Sequence, residues 1–173
     1  MGAMGLSPQS RPSEIKKLYD PFRNIYVESN PEEVIRQKIL HHLISNLHYP
    51  KEMMVIEKQL SELPHIQQQV GQAPKRRLDI LCYTLLFEKL VPLLLLECKA
   101  TPLHKKMLSQ VMGYNSYIQA PFFALVNGEE IMLGWKEKEE YRYIDYIPSY
   151  EKLRDYCNTY LAHDSKRDLP TEP

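Results

Sequence analysis

Pro92-Leu93-Leu94-Leu95-Leu96-Glu97-Cys98-Lys99 is the stretch on which the fold turns. An apolar run this short cannot span a bilayer, and its almost continuous leucine content marks a strand covered on both faces, as in the central strands of layered α/β proteins. Glu97 and Lys99 interrupt it two residues apart. Alternate strand residues share a face, so these side chains point the same way with Cα atoms about 7 Å apart, while Leu96 and Cys98 point the other way. An acid and an amine at the end of a buried strand each lose hydration and need compensation.

Upstream, Val55-Ile56-Glu57-Lys58-Gln59-Leu60 reads as a first strand, and Arg77 to about Leu85 as a second after a polar loop through Gly71 and Pro74. In the second strand Asp79 shares a face with Arg77 and Leu81, opposite Leu78, Ile80 and Cys82. Before these, Asn30-Pro31-Glu32-Glu33 supplies a cap, a proline at the first helical position and acids at the positive end of the dipole. Val34, Ile35, Ile39, Leu40, Leu43 and Ile44 then recur at helical spacing to about Asn46. Downstream, Thr101-Pro102 opens a helix reaching about Ile118. Phe122–Val126 and Ile131–Trp135 are joined by the turn signal Asn127-Gly128, and a last helix runs from Tyr150 to about Leu161 behind Ser149 as cap. The expectation is an α/β protein with a mixed five-stranded sheet flanked by helices.

At 173 residues and 43% hydrophobic content the chain has material for one core. Residues 30–162 are expected to form that domain, after an irregular N-terminal arm at 6–29 and before a flexible tail at 163–173. The opening Met1-Gly2-Ala3-Met4-Gly5 reads as an expression-tag remnant (1–5). Basic and acidic residues both number 22, so attraction to a polyanion must come from a local patch. Cys82, Cys98 and Cys157 are odd in number and lack metal-ligand spacing, and no signal or membrane segment is visible. A cytoplasmic protein is expected.

Asp79 and Glu97 on neighbouring strands, with Lys99 beside them, have the composition of a phosphodiester-cleaving site. Hard carboxylate oxygens suit Mg²⁺, with Mn²⁺ an alternative, and the bound ion acidifies water and offsets charge on the phosphate. Lys99 can orient the nucleophile and add positive charge. Taken singly, each motif has a plainer reading, because an Asp at a strand start is often solvated and Glu-x-Lys is often a surface ion pair. A second polar interruption favours the site: Leu103, Met107, Gln110, Tyr114 and Ile118 form a helical stripe in which Gln110 and Tyr114 lie one turn apart. Gln110 is either a satisfied core amide or a residue aimed across the sheet at the metal site or the substrate.

Pro31 to Gln37, Val55 to Leu60, Arg76-Arg77-Leu78-Asp79-Ile80, Leu96-Glu97-Cys98-Lys99-Ala100, Gln110-x-x-x-Tyr114 and Val126-Asn127-Gly128 follow one another in an order that resembles the N-terminal nuclease domain of type I restriction enzyme R subunits, and more closely the short stand-alone bacterial proteins named for that domain. The resemblance spans roughly residues 20–155. It implies the restriction-endonuclease-like fold of the PD-(D/E)XK superfamily and DNA as substrate, RNA not being excluded. It further implies Asp79, Glu97 and the backbone carbonyl of Cys98 as metal ligands, Lys99 as catalytic lysine, and a supporting glutamate on the first helix: Glu33, with Glu32 the alternative. Leu78 stands where the superfamily often has proline. R subunits carry an ATP-driven motor, whereas this sequence has no Gly-x-x-x-x-Gly-Lys-Ser/Thr loop, so translocation would need a larger restriction or repair complex.

Among the remaining features, Lys75-Arg76-Arg77 and Lys105-Lys106 could grip phosphates, with Arg77, Lys105 and Tyr114 the substrate-binding candidates; a solvated rim is the equal alternative. The histidines show no ligand spacing and read as surface or core-edge groups. Tyr141 to Tyr146 could stack on bases, but a tyrosine-rich edge strand packed on the last helix is the plainer reading. The rival to an enzyme is a catalytically silent nucleic-acid-binding or assembly module with the same fold.

Overall fold

The computed structural model describes residues 16–66 and 75–164, the last five of these by backbone alone. The leading pentapeptide, the first part of the expected arm, the Gly71–Pro74 loop and the tail after 164 lie outside the described residues.

Part of the expected irregular arm is a hairpin instead: β1 (Lys17–Asp20) pairs antiparallel with β2 (Ile25–Glu28). The buried Asp20 carboxylate makes the turn, accepting from the N–H groups of Phe22 (2.7 Å) and Arg23 (3.1 Å), while Asn24 takes the left-handed backbone that asparagine tolerates. Helix α1 (Pro31–Ser45) begins where its signals place it, with the Asn30 side chain accepting from the Glu33 N–H at 2.8 Å. Its fully buried face is Glu33, Arg36, Ile39, Leu40 and Leu43, so two charged residues extend the apolar stripe.

The main sheet has six strands rather than five, in the order β3 (Met54–Gln59), β4 (Arg77–Leu86), β5 (Lys89–Cys98), β6 (Phe122–Val126), β7 (Ile131–Glu137) and β8 (Glu140–Ile144). All neighbours are antiparallel except β5 and β6, which run parallel because helix α2 (Lys105–Ile118) crosses between them. The extra strand is the tyrosine-rich edge: Tyr141 contacts the Phe123 ring and Tyr143 pairs across from Gly134. Strand β5 also starts before Pro92, because Phe87 and Glu88 form a two-residue turn with positive φ that pairs Leu86 with Lys89. Pro92, which has no N–H for the ladder, sits where the β4 register shifts at Cys82/Tyr83.

Helices α1 and α3 (Tyr150–Asp164) cover one face, packing Ile39, Leu40, Leu43 and Leu153 on Ile80, Leu94, Leu96 and Ala124. Helix α2 covers the other, packing Leu108, Val111, Tyr114 and Ile118 on Leu81, Leu95, Phe123 and Leu125. The helix starts later than Thr101-Pro102 predicts. The chain ahead of it is tied to the β6–β7 loop, Leu103 N–H donating to Glu130 and the Thr101 carbonyl accepting from Asn127, each at 3.2 Å. No helix among the described residues is long and apolar enough to cross a membrane.

Gly134 gives a packing prediction. A Cβ there would lie 2.8 Å from the Phe123 ring and 2.8 Å from Tyr143. Tyr143 is half-exposed and can swing away; Phe123 is buried and cannot. Gly134→Ala is expected to destabilise by about 1–3 kcal/mol in urea unfolding, and unchanged stability would mean that the Phe123 layer yields.

Candidate active site

Strands β4 and β5 are central neighbours whose last pair at this end is Ile80 with Leu96, and Asp79 and Glu97 lie just beyond it, near enough for the charge of Glu97 to act on Asp79; Asp79 contacts Arg36 of α1 and Glu97 contacts Tyr114 of α2. The leucine run places Glu97 at the close of a strand buried along its whole second half, and its side chain is 8% exposed. Its carboxylate is compensated three ways. Lys99 Nζ donates to Oε1 at 2.8 Å, Arg76 donates to the same oxygen at 3.0 Å, and the Tyr114 hydroxyl donates to Oε2 at 2.6 Å. The Arg76 guanidinium also lies 4.2 Å from the centre of the Tyr114 ring. Burial alone would raise the Glu97 pKa; the donors, Lys99 and Tyr114 foremost, outweigh it and hold the group below its usual range.

Asp79 has the opposite balance. Burial, and then the charge of Glu97, push its pKa up to about 6, against the Cys98 N–H at 2.6 Å from Oδ2 and Arg36 at 3.0 Å from Oδ1. Among the described residues each oxygen thus has one donor and keeps acceptor capacity. A raised carboxyl pKa means that the folded state holds its proton longer than the unfolded chain, so stability falls as pH rises from about 4 to about 6, by up to on the order of 3 kcal/mol. His65, lowered by burial, acts in the opposite sense below its ordinary value of about 6.5. The difference between wild type and Asp79→Asn removes that contribution. In EDTA, the melting temperature of wild type relative to Asp79→Asn should decline across pH 4–6; a constant difference would contradict the raised pKa.

The other candidates separate. Glu33 is buried and reaches the site indirectly: it accepts from Arg23 at 2.8 Å, from Gln37 at 3.2 Å and from Arg36, which in turn contacts Asp79. Glu32 is exposed. Tyr114 is in the site. Gln110 is exposed, because the buried stripe of α2 is Leu108, Val111, Tyr114 and Ile118 rather than the one through Met107 and Gln110. Lys105 is exposed and lines a shallow cavity with Leu108, Met132 and Tyr143. Arg77 is exposed and pairs with Glu57 at 3.0 Å. Lys99 is 21% exposed, between interior and solvent. The carbonyl of Cys98 has no described side-chain contact, and its thiol is buried.

Sequence reasoning gave no role to Arg36 or Glu57, and gave Arg76 only a share in a run that could grip phosphates, yet the fold brings all three here. Arg36 follows Glu33 by three, a same-face spacing that could have flagged it. Arg76 was one of a basic run. Glu57 carries a positive φ in mid-strand, for which the sequence has no signal. A cavity of about 670 Å³ lies elsewhere, between the start of β5 at Leu90–Pro92 and the end of α2, lined by Phe122, Trp135 and Tyr156. Among the described residues, no group of three or more His, Cys, Asp or Glu side chains gathers as a cation cage.

Residues 31–148 match the family model described as the type I restriction enzyme R protein N terminus. No curated protein matches the chain, and no solved structure does.

Proposed function

Because this chain belongs to the family of type I restriction enzyme R protein N termini, we propose that it is a metal-dependent endonuclease domain of the PD-(D/E)XK type, with a restriction-endonuclease-like fold and DNA as substrate. The observation that carries this reading is the meeting of Asp79 and Glu97 at the ends of adjacent central strands, with Lys99 bonded to Glu97.

The donor set fits a hard divalent cation. Two carboxylates lie close enough for the charge of one to raise the pKa of the other, and both Asp79 oxygens retain acceptor capacity. Asp79, Glu97 and the Cys98 carbonyl would hold Mg²⁺ or Mn²⁺, which would acidify a water and neutralise charge on the phosphate. Lys99, partly exposed, can shift from Glu97 to an incoming oxygen and stabilise negative charge there. Arg76, with 36% of its side chain exposed and its guanidinium over the Tyr114 ring, and Arg77 beyond it offer cations to phosphates flanking the scissile bond. Glu97, fixed by Tyr114, keeps its orientation when Lys99 moves.

A catalytically silent nucleic-acid-binding or assembly module is the second reading. It is favoured by one observation: Glu97 already has three donors, the pattern of a closed ion-pair cluster. A cytoplasmic setting and membership of a larger restriction or repair complex belong to the proposal as well. The test incubates purified protein with plasmid, single-stranded and branched DNA, and with RNA, in Mg²⁺, Mn²⁺ or EDTA. Cleavage of DNA with either ion and none in EDTA supports the enzyme. Binding without cleavage by well-folded protein supports the silent module.

A further inference from the structure

Arg36 is 7% exposed, yet it contacts carboxylates from three separate elements. Its Nη1 donates to Glu33 on its own helix, and its Nη2 lies 2.9 Å from Glu57 Oε1 on β3 and 3.0 Å from Asp79 Oδ1 on β4. Among the described residues, its Nε alone finds no partner. A lysine could not replace this fork, since one point charge cannot address three acceptors in fixed directions.

Glu57 is the less ordinary half of the arrangement. The β3–β4 ladder is regular on either side of it, pairing Ile56 with Ile80 and Lys58 with Leu78, but at Glu57 φ is +55° and the pair is missing. An unbroken ladder would set Glu57 directly across from Asp79, two like charges face to face. The left-handed backbone, which non-glycine residues avoid, is accompanied instead by a bridge from Glu57 to Arg36 and Arg77. Asp79 is left with one donor on each oxygen: Arg36 on Oδ1 and the Cys98 N–H on Oδ2, the latter at 2.6 Å just beyond the last β4–β5 pair.

We propose that Arg36, held in place by the left-handed Glu57, is the positioning residue that orients the Asp79 carboxylate, with Glu57 as its anchor. This rests on the nuclease reading for its purpose, because a carboxylate fixed at both oxygens is preorganised to bind a cation. Its geometric content is independent of that reading. If Arg36 and Glu57 fix Asp79, weakening either must loosen the Cys98 N–H bond to Oδ2.

The test compares wild type, Arg36→Lys and Glu57→Gln, with Glu57→Asn, which tolerates the left-handed backbone, as a second anchor variant should Gln not fold. Two readouts are taken on the same samples: the amide proton shift and hydrogen exchange of Cys98 in metal-free protein, and calorimetric titration with Mn²⁺. The expected result is an upfield move and faster exchange of the Cys98 amide in the variants, with the Leu94 amide in mid-strand unchanged. The Mn²⁺ Kd should rise by about 10-fold or more, as when an outer partner of a metal ligand is lost. Folded variants in which the Cys98 amide stays at its wild-type position overturn the proposal, even if they melt at lower temperature, because an ion-pair cluster that merely holds the fold together would give that result. Should wild type bind no Mn²⁺, the nuclease reading fails and the Cys98 amide alone decides whether Arg36 positions Asp79.

Discussion

Lys99→Ala is expected to cleave DNA at least about 10²-fold more slowly than wild type while keeping its fold and its Mn²⁺ affinity within a few-fold. The separation follows from the contacts. Lys99 Nζ touches Glu97 Oε1 at 2.8 Å, but that carboxylate keeps Arg76 on the same oxygen and Tyr114 on the other, so its position does not depend on the lysine. Nor does Lys99 fill the core, its side chain being 21% exposed. What is lost is the mobile positive charge nearest to where an attacked phosphate would carry developing charge. Single-turnover plasmid cleavage and calorimetry on one preparation check both halves. Equal cleavage rates would remove Lys99 from the chemistry, and loss of metal binding with the lysine would make its role one of arranging Glu97.

Strand alternation and the leucine run were enough to bring Asp79 and Glu97 to the same end of neighbouring strands, but not to fix their facing: Leu78 packs with Leu81 on the α2 side instead of with Ile80 and Cys82, so the alternation breaks at Asp79, whose carboxylate contacts Arg36 of α1 while Glu97 contacts Tyr114 of α2. Helical periodicity was a looser guide. It allowed a stripe through Met107 and Gln110, and the structure buries the neighbouring one through Leu108 and Val111, leaving Tyr114 in the site and Gln110 in solvent. The two stripes share Tyr114 and Ile118, and only the position of the sheet beneath the helix decides between them. Other features had no local signal at all. The Asp20 turn that folds the arm into a hairpin depends on a carboxylate capping two N–H groups, and the reversal at Phe87-Glu88 uses residues that rarely favour positive φ. Arg36 and Glu57 matter through partners 43 and 21 residues away, across a helix–sheet contact that no window of sequence contains.

Asp79→Ala is expected to abolish Mn²⁺ binding and reduce cleavage by on the order of 10³-fold or more, since it removes one of only two carboxylates in the proposed ligand set. Its effect on folding should be small for so buried a position, because two consequences oppose each other. The Cys98 N–H loses its acceptor, which costs about 1–3 kcal/mol if the amide stays buried and unpaired. Against this, at pH 7 the change removes an ionised carboxylate whose pKa is raised to about 6 by burial and by Glu97. Arg36, although it gives up one partner, keeps Glu33 and Glu57. A melting temperature within a few degrees of wild type in EDTA, together with no calorimetric Mn²⁺ signal and no nicking of plasmid, is the expected combination. Wild type should gain stability from saturating Mn²⁺ by mass action, and Asp79→Ala should gain none. If instead Asp79→Ala is stabilised by Mn²⁺ as much as wild type is, the ion binds elsewhere. The pairing of Asp79 with Glu97 would then be a feature of the fold rather than of catalysis.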